Sequence, residues 1–307
     1  MAEKLLECIG NTPLVKLSKL GSSENADIYI KLEYLNPTGS YKDRMADAII
    51  HGAENRGDLR SGMTVIECTA GSTGTSLAFV CALKGYPLKI ITSDAFAPEK
   101  LRAMKVFGAV LEIVSAPGGK ITPDLIPQMM KKVQDLSLSQ QYYWTRQFEN
   151  IDALSGYEVM GAEITKQFSG RVDAFCASVG TAGMYVGMTK ILREANENIL
   201  TFIVEPSSSP LIAKGIKGTH SIDGISVGFV PPLLSNSTYN EVLLIEESEA
   251  RLIAKRLAKE EGIFAGTSTG LNVAAALRLA KKLGKGKNVL TVACDSGMKY
   301  INTGLFD

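Results

Sequence analysis

One lysine stands where a polar turn meets a segment of helical periodicity. Lys42 follows the turn at residues 36–41, and a lysine in such a place is usually a solvated surface charge. Three segments rich in Gly, Ser and Thr make this lysine unusual, because each follows a strand-like run: residues 69–74, 180–183 and 266–270. The combination favours a lysine that forms a Schiff base, with backbone amides available to bind an anion.

The three segments fall where ligands bind in open α/β sheets, at the carboxyl ends of strands and before helices. Hydroxyl and backbone N–H groups in residues 69–74 are suited to holding a carboxylate. In residues 180–183, small side chains let a phosphate approach the backbone, and the helix that follows adds a favourable dipole. Each segment alone is a weak signal, and the common glycine patterns of nucleotide-binding loops do not occur.

Strand-like and helix-like runs alternate along the chain and must position these loops. Apolar, β-branched runs predict strands, and apolar residues at helical spacing predict helices between them. The predicted strands are 27–32, 64–68, 88–92, 110–114, 172–177, 201–206 and 289–293. The predicted helices are 43–55, 75–85, 98–107, 271–283 and one that begins at Met184. This order indicates βαβ units with parallel strands, in an α/β protein of two domains.

The connections between these elements suggest where the domains meet and where a functional loop lies. The polar segment 136–147 is predicted to carry the chain from one domain to the other. The segment 206–234 is rich in Gly, Ser and Pro and is predicted to be a long ordered loop. Ordered loops of this length in enzymes are often functional.

Composition excludes several classes of function. Of 307 residues, 33 are basic and 32 acidic, and a formal net charge of +1 gives no reason to expect a nucleic-acid or membrane-surface partner. The apolar runs are too short to span a bilayer and the N-terminus lacks a signal-peptide pattern, so a cytoplasmic location is expected. Five widely spaced cysteines and two histidines favour no disulfide framework, and no metal site is predicted.

The lysine segment, residues 36–44, resembles the cofactor-lysine motif of the cysteine synthase (O-acetylserine sulfhydrylase) and cystathionine β-synthase family. That family belongs to the fold-type II pyridoxal 5′-phosphate enzymes, whose architecture is tryptophan synthase β-like. The resemblance covers nearly the whole chain, because further motifs follow in the family's order and spacing. They are residues 9–15, 69–74, 147–150, 180–183, 224–231, 266–270 and 295–300.

The resemblance implies a role for each candidate residue. Lys42 would carry pyridoxal 5′-phosphate as a Schiff base and act as the base toward the α-proton. The cofactor's phosphate would be bound by Gly180, Thr181, Ala182, Gly183 and Met184, and its pyridine nitrogen by Ser268. The substrate's carboxylate or the cofactor's phenolic oxygen would be held by Thr69, Ala70, Gly71, Ser72, Thr73 and Gln147. Gly224 and Ile225 would close over the site.

The resemblance also implies a reaction and a domain division. The reaction is β-replacement on a serine derivative through an α-aminoacrylate intermediate, most simply O-acetyl-L-serine and sulfide giving L-cysteine and acetate. The partners are then an amino-acid substrate and a small nucleophile, in a homodimer. Residues 36–146 would form a smaller substrate-binding domain, and residues 1–35 with 147–307 a larger domain that binds the cofactor's phosphate.

The sequence departs from the family pattern at several positions, which leaves the nucleophile open. Ser72 stands where many members have Asn, Met184 where Thr is common, and Ala70 where Ser is frequent. Asp223 places an acid before Gly224, which leans toward cystathionine β-synthases. Cystathionine β-synthase, β-cyanoalanine synthase or another β-substituted alanine synthase therefore remain alternatives. From a different class, the alternative is a catalytically silent relative that binds ligands or partners.

Overall fold

The structure is a computed structural model that describes residues 4–116, 124–235 and 237–307. Chain contacts divide it into two compact units. Unit 1 contains Lys42–Ala153 with the N-terminal residues up to Ile9, and unit 2 contains Gly10–Tyr41 with Leu154–Asp307. The domain boundaries expected from the sequence stay a prediction, and each unit is described by itself.

The described residues form strands and helices that alternate along most of the chain. The strands are β1 Leu14–Lys16, β2 Asp27–Leu32, β3 Thr64–Cys68, β4 Leu88–Ser93, β5 Val110–Val114, β6 Tyr142–Trp144, β7 Ala174–Ser178, β8 Leu200–Pro206, β9 Glu241–Ile245 and β10 Asn288–Ala293. The α-helices are α1 Lys42–Arg56, α2 Ser72–Lys84, α3 Pro98–Val106, α4 Leu125–Ser137, α5 Asp152–Gln167, α6 Gly183–Ala195, α7 Leu211–Lys214, α8 Glu247–Arg256 and α9 Thr267–Leu283.

Unit 1 is built on a parallel four-stranded sheet in the order β5-β4-β3-β6. Successive side chains of a strand point to opposite faces, so the central strand β3 contributes to two cores. Val65 packs with apolar residues of α1 and α2, and its neighbour Ile66 packs with Met129 and Val133 of α4. Because helices cover both faces of the sheet, the side chains of β3 are mostly apolar on both faces.

Unit 2 is built on a six-stranded sheet in the order β1-β2-β10-β7-β8-β9. Only the edge pairing of β1 with β2 is antiparallel among these described strands. Alternate strand residues such as Ile28 and Cys176 pack with Leu271 and Ala275 of α9 in one large core. Both sheets are therefore dominated by parallel strands and flanked by helices, which confirms the predicted fold class.

Two details differ from the sequence-based expectation. Helices α2 and α9 begin at Ser72 and Thr267, three and four residues earlier than predicted, because hydroxyl residues without apolar periodicity form their first turns. The segment 136–147 lies within unit 1 and contains regular structure. It ends α4 and contributes β6, whose Tyr142, Tyr143 and Trp144 pair with β3 inside unit 1.

Within residues 4–116, 124–235 and 237–307, no helix combines the length and the apolar character that crossing a bilayer requires.

The carboxylate of Glu261 binds the chain near the start of unit 2 and gives a pH-dependent prediction. It accepts hydrogen bonds from the backbone N–H groups of Ser18, Lys19 and Leu20 at 3.0, 2.6 and 2.8 Å. Burial alone would raise the pKa of Glu261, but these hydrogen bonds lower it below its ordinary value. A lowered pKa means that the stabilisation is present above the ordinary pKa and is lost as the pH falls through the lowered one.

We therefore expect Glu261→Gln to lower the Tm by a few degrees at pH 7 and to have a progressively smaller effect as the pH falls below the ordinary carboxylate pKa. Thermal unfolding followed by circular dichroism across this pH range checks the expectation. Glu24→Gln is the control, because its exposed carboxylate lies 3.9 Å from Lys285. A difference between wild type and Glu261→Gln that stays constant with pH would contradict the assignment.

Candidate active site

Lys42 is the first residue of α1, and its side chain is buried. The next residue, Asp43, is also buried and accepts a hydrogen bond of 2.6 Å from Ser76 Oγ of α2. At the other end of the same helices, Lys84 Nζ donates to Glu54 Oε2 at 2.6 Å. Helices α1 and α2 therefore run side by side in the same direction. Lys42 and the loop that precedes α2 lie at the same end of this pair.

The predicted carboxylate loop and Gln147 are brought together in unit 1. Thr73 Oγ1 donates to Gln147 Oε1 at 2.8 Å, and Gln147 Nε2 donates to the Cys68 carbonyl at 3.0 Å. Thr69, in the same loop, accepts from Gly71 N at 3.2 Å through its Oγ1. The arrangement places hydroxyl, amide and helix N-terminal N–H groups together, a donor set that suits a carboxylate.

One glycine of this loop is packed tightly. A Cβ on Gly74 would lie 2.6 Å from the Met104 sulfur of α3 and 2.7 Å from a Thr69 methyl. The loop therefore packs against α3 most closely where position 74 lacks a side chain. A Cβ on Gly71 would lie 3.0 Å from the Lys100 side chain, which has room to move.

The predicted phosphate loop follows β7 in unit 2 and leads into α6. Ala182 adopts φ +67°, a left-handed conformation that is uncommon for a residue with a side chain. The turn ends at the first residue of α6, Gly183, where the first backbone N–H groups of a helix have no intrahelical acceptor. Backbone donors at a helix N-terminus form a site for an anion such as phosphate.

The predicted closing segment packs on this loop. A Cβ on Gly180 would lie 2.0 Å from the Gly224 carbonyl oxygen, so only glycine permits this approach. Ser226 N donates to the Val179 carbonyl at 3.1 Å, and Ile225 is buried. Unit 2 thus brings Gly224 and Ile225 together with residues 180–183, and their closing over the site stays a prediction.

Ser268 lies in the first turn of α9 and is buried. One turn further, Asn272 Oδ1 accepts from Ser178 N at 2.8 Å, and its Nδ2 donates to the Val292 carbonyl at 3.0 Å. Ser178 is the last residue of β7, two positions before Gly180. Asn272 therefore fixes the helix of Ser268 to the strand that carries the phosphate loop.

The residues of unit 2 fit a phosphorylated cofactor. Backbone N–H groups at the start of α6 and the buried hydroxyl of Thr181 form the donor set. Ser178 Oγ, beside this loop, is buried and has no hydrogen-bond partner among the described residues. A buried hydroxyl of this kind calls for a ligand or water to complete its hydrogen bonds.

The buried cysteines are unsuited to nucleophilic chemistry. Burial raises the pKa of Cys176 to about 12, and of Cys81 to about 12. Burial likewise raises the pKa of Cys68 well above its ordinary value. A thiol that stays protonated near neutral pH is a poor nucleophile, so these residues are part of the core.

Two residues that organise the site were missed from the sequence. Glu67 is a charged residue inside the apolar strand 64–68, and Asn272 is a polar residue inside the apolar start of α9. Both are buried. A buried polar side chain in an apolar run must have hydrogen-bond partners, and that was the available signal.

The chain belongs to the family of pyridoxal-phosphate dependent enzymes, which it matches over residues 5–295. It is 39% identical to a cysteine synthase of Staphylococcus aureus over 306 residues, which cover 99% of this chain and 97% of the relative. The predicted family and cofactor are thereby confirmed.

Two solved structures show how closely the fold is shared. The O-acetyl serine sulfhydrylase isoform 3 of Entamoeba histolytica is 32% identical with a TM-score of 0.93, covering 100% of this chain and 92% of that one. An O-ureido-L-serine synthase is 33% identical with a TM-score of 0.92, covering 100% and 96%. Relatives that make different products thus share this fold.

The contact of Gly180 with Gly224 gives a test of the phosphate loop. Gly180→Ala should displace the segment at residues 224–226 and weaken the binding of pyridoxal phosphate by about tenfold or more. Titration of the cofactor followed by absorbance measures the effect. Gly21→Ala, whose Cβ would have no atom within 4 Å, should bind the cofactor normally. Equal affinity of the two variants would show that the close approach is not needed.

Proposed function

We propose that this chain is a cysteine synthase-type transferase that replaces the acetate of O-acetyl-L-serine with sulfide. Its 39% identity to a cysteine synthase extends over 97% of that relative, which supports the proposal. The observation that carries it is the arrangement in unit 1. There a buried lysine begins one helix, and a carboxylate-type donor set begins the helix beside it.

The proposal assigns the cofactor contacts residue by residue. Lys42 holds pyridoxal phosphate through its amine, Ser268 donates to the pyridine nitrogen, and Ser72 lies toward the phenolic oxygen. The phosphate is bound by Gly180, Thr181, Ala182, Gly183 and the first turn of α6 that contains Met184. When bound, the cofactor supplies a conjugated ring that accepts electron density from the substrate's α-carbon.

The chain's own residues then control the substrate. The α-carboxylate is held by Thr69, Ala70, Gly71, Ser72, Thr73 and Gln147. With the carboxylate fixed, the Lys42 amine takes the proton from the α-carbon and later returns it. Gly224 and Ile225 exclude water from the reacting atoms, which favours the added nucleophile over hydrolysis.

Ser268 selects the reaction type in this proposal. A serine hydroxyl donates a hydrogen bond but cannot stabilise a positive pyridine nitrogen as a carboxylate would. The cofactor is then a weaker electron acceptor, which disfavours a long-lived charge on the α-carbon. Loss of a leaving group from the β-carbon is favoured over transamination.

The resemblance to the family extends the proposal to the assembly and the domains. We expect a homodimer located in the cytoplasm. Light scattering after size-exclusion chromatography tests whether the protein is a dimer. Residues 36–146 serve the substrate, and residues 1–35 with 147–307 serve the cofactor's phosphate. Limited proteolysis with and without substrate tests this division.

The nucleophile is the least constrained part of the proposal. Ser72 is shorter than the Asn common at its position, and relatives of this fold include an O-ureido-L-serine synthase. Product analysis should therefore combine O-acetyl-L-serine, O-phospho-L-serine and L-serine with sulfide, homocysteine, cyanide and amines. We expect L-cysteine from O-acetyl-L-serine and sulfide to dominate.

Other outcomes of this panel identify the alternatives. A dominant thioether, nitrile or amine product would replace cysteine synthesis with that reaction. The absence of every product from protein that has bound its cofactor would support a catalytically silent relative.

The assignment of Lys42 has its own test. Borohydride reduction of the holoenzyme should fix the cofactor on the peptide that contains Lys42, and Lys42→Ala should carry no such adduct. Intact mass and peptide mapping provide the measurement. Lys89→Ala is the control, because Lys89 pairs with Glu112 at 2.8 Å in the sheet of unit 1 and should leave the adduct unchanged. A label on another lysine of the wild type would refute the assignment.

A further inference from the structure

The hydrogen-bond ladder between β3 and β6 stops just before the carboxylate loop. Pairing runs to Ile66 and Trp144, and Thr145 N donates to the Ile66 carbonyl at 3.2 Å. In a parallel ladder the next rung would join Cys68 N to the Thr145 carbonyl and Gln147 N to the Cys68 carbonyl. The chain turns out of the sheet instead, because Arg146 adopts φ +48°.

Side chains take over all four backbone groups of this missing rung. Cys68 N donates to Glu67 Oε1 at 2.7 Å, and Gln147 N donates to Glu67 Oε2 at 3.0 Å. The Cys68 carbonyl accepts from Gln147 Nε2, and the Thr145 carbonyl from Asn150 Nδ2, both at 3.0 Å. Glu67 thus supplies the acceptors for both backbone donors of the rung.

Glu67 is only 1% exposed, and its carboxylate is surrounded by donors. Thr145 Oγ1 donates to Oε2 at 2.6 Å, and Trp144 Nε1 to Oε1 at 3.3 Å, in addition to the two backbone N–H groups. Burial raises the pKa of Glu67, while these hydrogen bonds act to lower it. A carboxylate, which offers acceptors on both oxygens, suits such a site better than an amide.

The same clamp determines where the Gln147 side chain points. With its backbone N–H bound to Glu67, Gln147 is free to use its Nε2 on the Cys68 carbonyl. Its Oε1 then accepts from Thr73 Oγ1 at 2.8 Å. Without Glu67 the ladder could continue, and the backbone N–H of Gln147 would then donate to the Cys68 carbonyl. The Gln147 side chain would lose that acceptor and move away from Thr73.

We propose that Glu67 is a positioning residue for the substrate's α-carboxylate, acting by holding Gln147 against Thr73 at the end of the β3–β6 ladder. The inference rests on the proposed function, in which Thr73 and Gln147 contact that carboxylate. Glu67 itself does not touch the substrate. Its effect is confined to ligands that carry a carboxylate.

Glu67→Gln is the sharpest variant. Its amide has almost the same shape but turns one acceptor oxygen into an NH₂ donor. In either orientation that donor faces a backbone N–H, of Cys68 or of Gln147, and one half of the clamp is lost. The loss should loosen the Gln147 side chain while the rest of the sheet stays intact.

The measurement compares two probes on the cofactor-loaded enzyme. L-Alanine has an α-carboxylate and no β-leaving group, and ethylamine is an amine without a carboxylate. We expect Glu67→Gln to weaken L-alanine binding by about tenfold and to change ethylamine binding by less than about twofold. The readout is the ratio of the L-alanine Kd to the ethylamine Kd, which should rise in Glu67→Gln. Titrations followed by absorbance or calorimetry give both Kd values.

Two further variants keep the test decisive. Thr145→Val removes one donor from Glu67 and should raise the same ratio by a smaller factor. It provides the test if Glu67→Gln fails to fold. Glu54→Gln is the matched control, because this carboxylate of unit 1 binds Lys84 and Tyr86 instead. It should leave the ratio at the wild-type value.

The outcomes separate this inference from the proposed function. If folded Glu67→Gln keeps the wild-type ratio, or weakens both probes equally, Glu67 has only a structural role and the inference is wrong. Because the ratio needs no turnover, a wild type that makes no product would refute the proposed reaction and leave this test intact.

Discussion

Buried backbone groups at the ends of parallel strands must find hydrogen-bond partners, and both units of this chain depend on how they do so. In unit 1 the N–H groups of Cys68 and Gln147 bind the carboxylate of Glu67. In unit 2 the carboxamide of Asn272 binds Ser178 N and the Val292 carbonyl, beyond the short pairing of β7 with β10. In each case a side chain replaces a ladder bond and sets the start of a functional loop.

Strand ends fixed in this way allow the loops to pack with very little space. The Gly180 backbone lies against the Gly224 carbonyl, and Gly74 lies against Met104. Such contacts leave the N–H groups of the helix N-termini as the polar surface of each loop. Tight backbone packing therefore supplies a preorganised set of donors, which binds an anion without first ordering flexible side chains.

The sequence was sufficient for the features that depend on local pattern. The strands Asp27–Leu32, Thr64–Cys68 and Val110–Val114 have the predicted bounds, because continuous apolar runs define buried strands. The first turns of α2 and α9 and the roles of Glu67 and Asn272 were not predicted. These features depend on partners that are far apart in sequence, such as Gln147 for Glu67. Only folding brings such partners together.

The departures from the family pattern act on side chains and leave the backbone donors unchanged. Met184 is buried in the first turn of α6 and has no hydroxyl to offer a phosphate, so in the proposed site Thr181 and backbone N–H groups are the donors. Those N–H groups are held by the turn at Ala182 and by the contact of Gly180 with Gly224. In the proposed site the phosphate is bound mainly by backbone groups, so side chains such as Ser72 can change with less effect on cofactor binding. Relatives that share this fold can then differ in the substrate they use through changes at such side-chain positions.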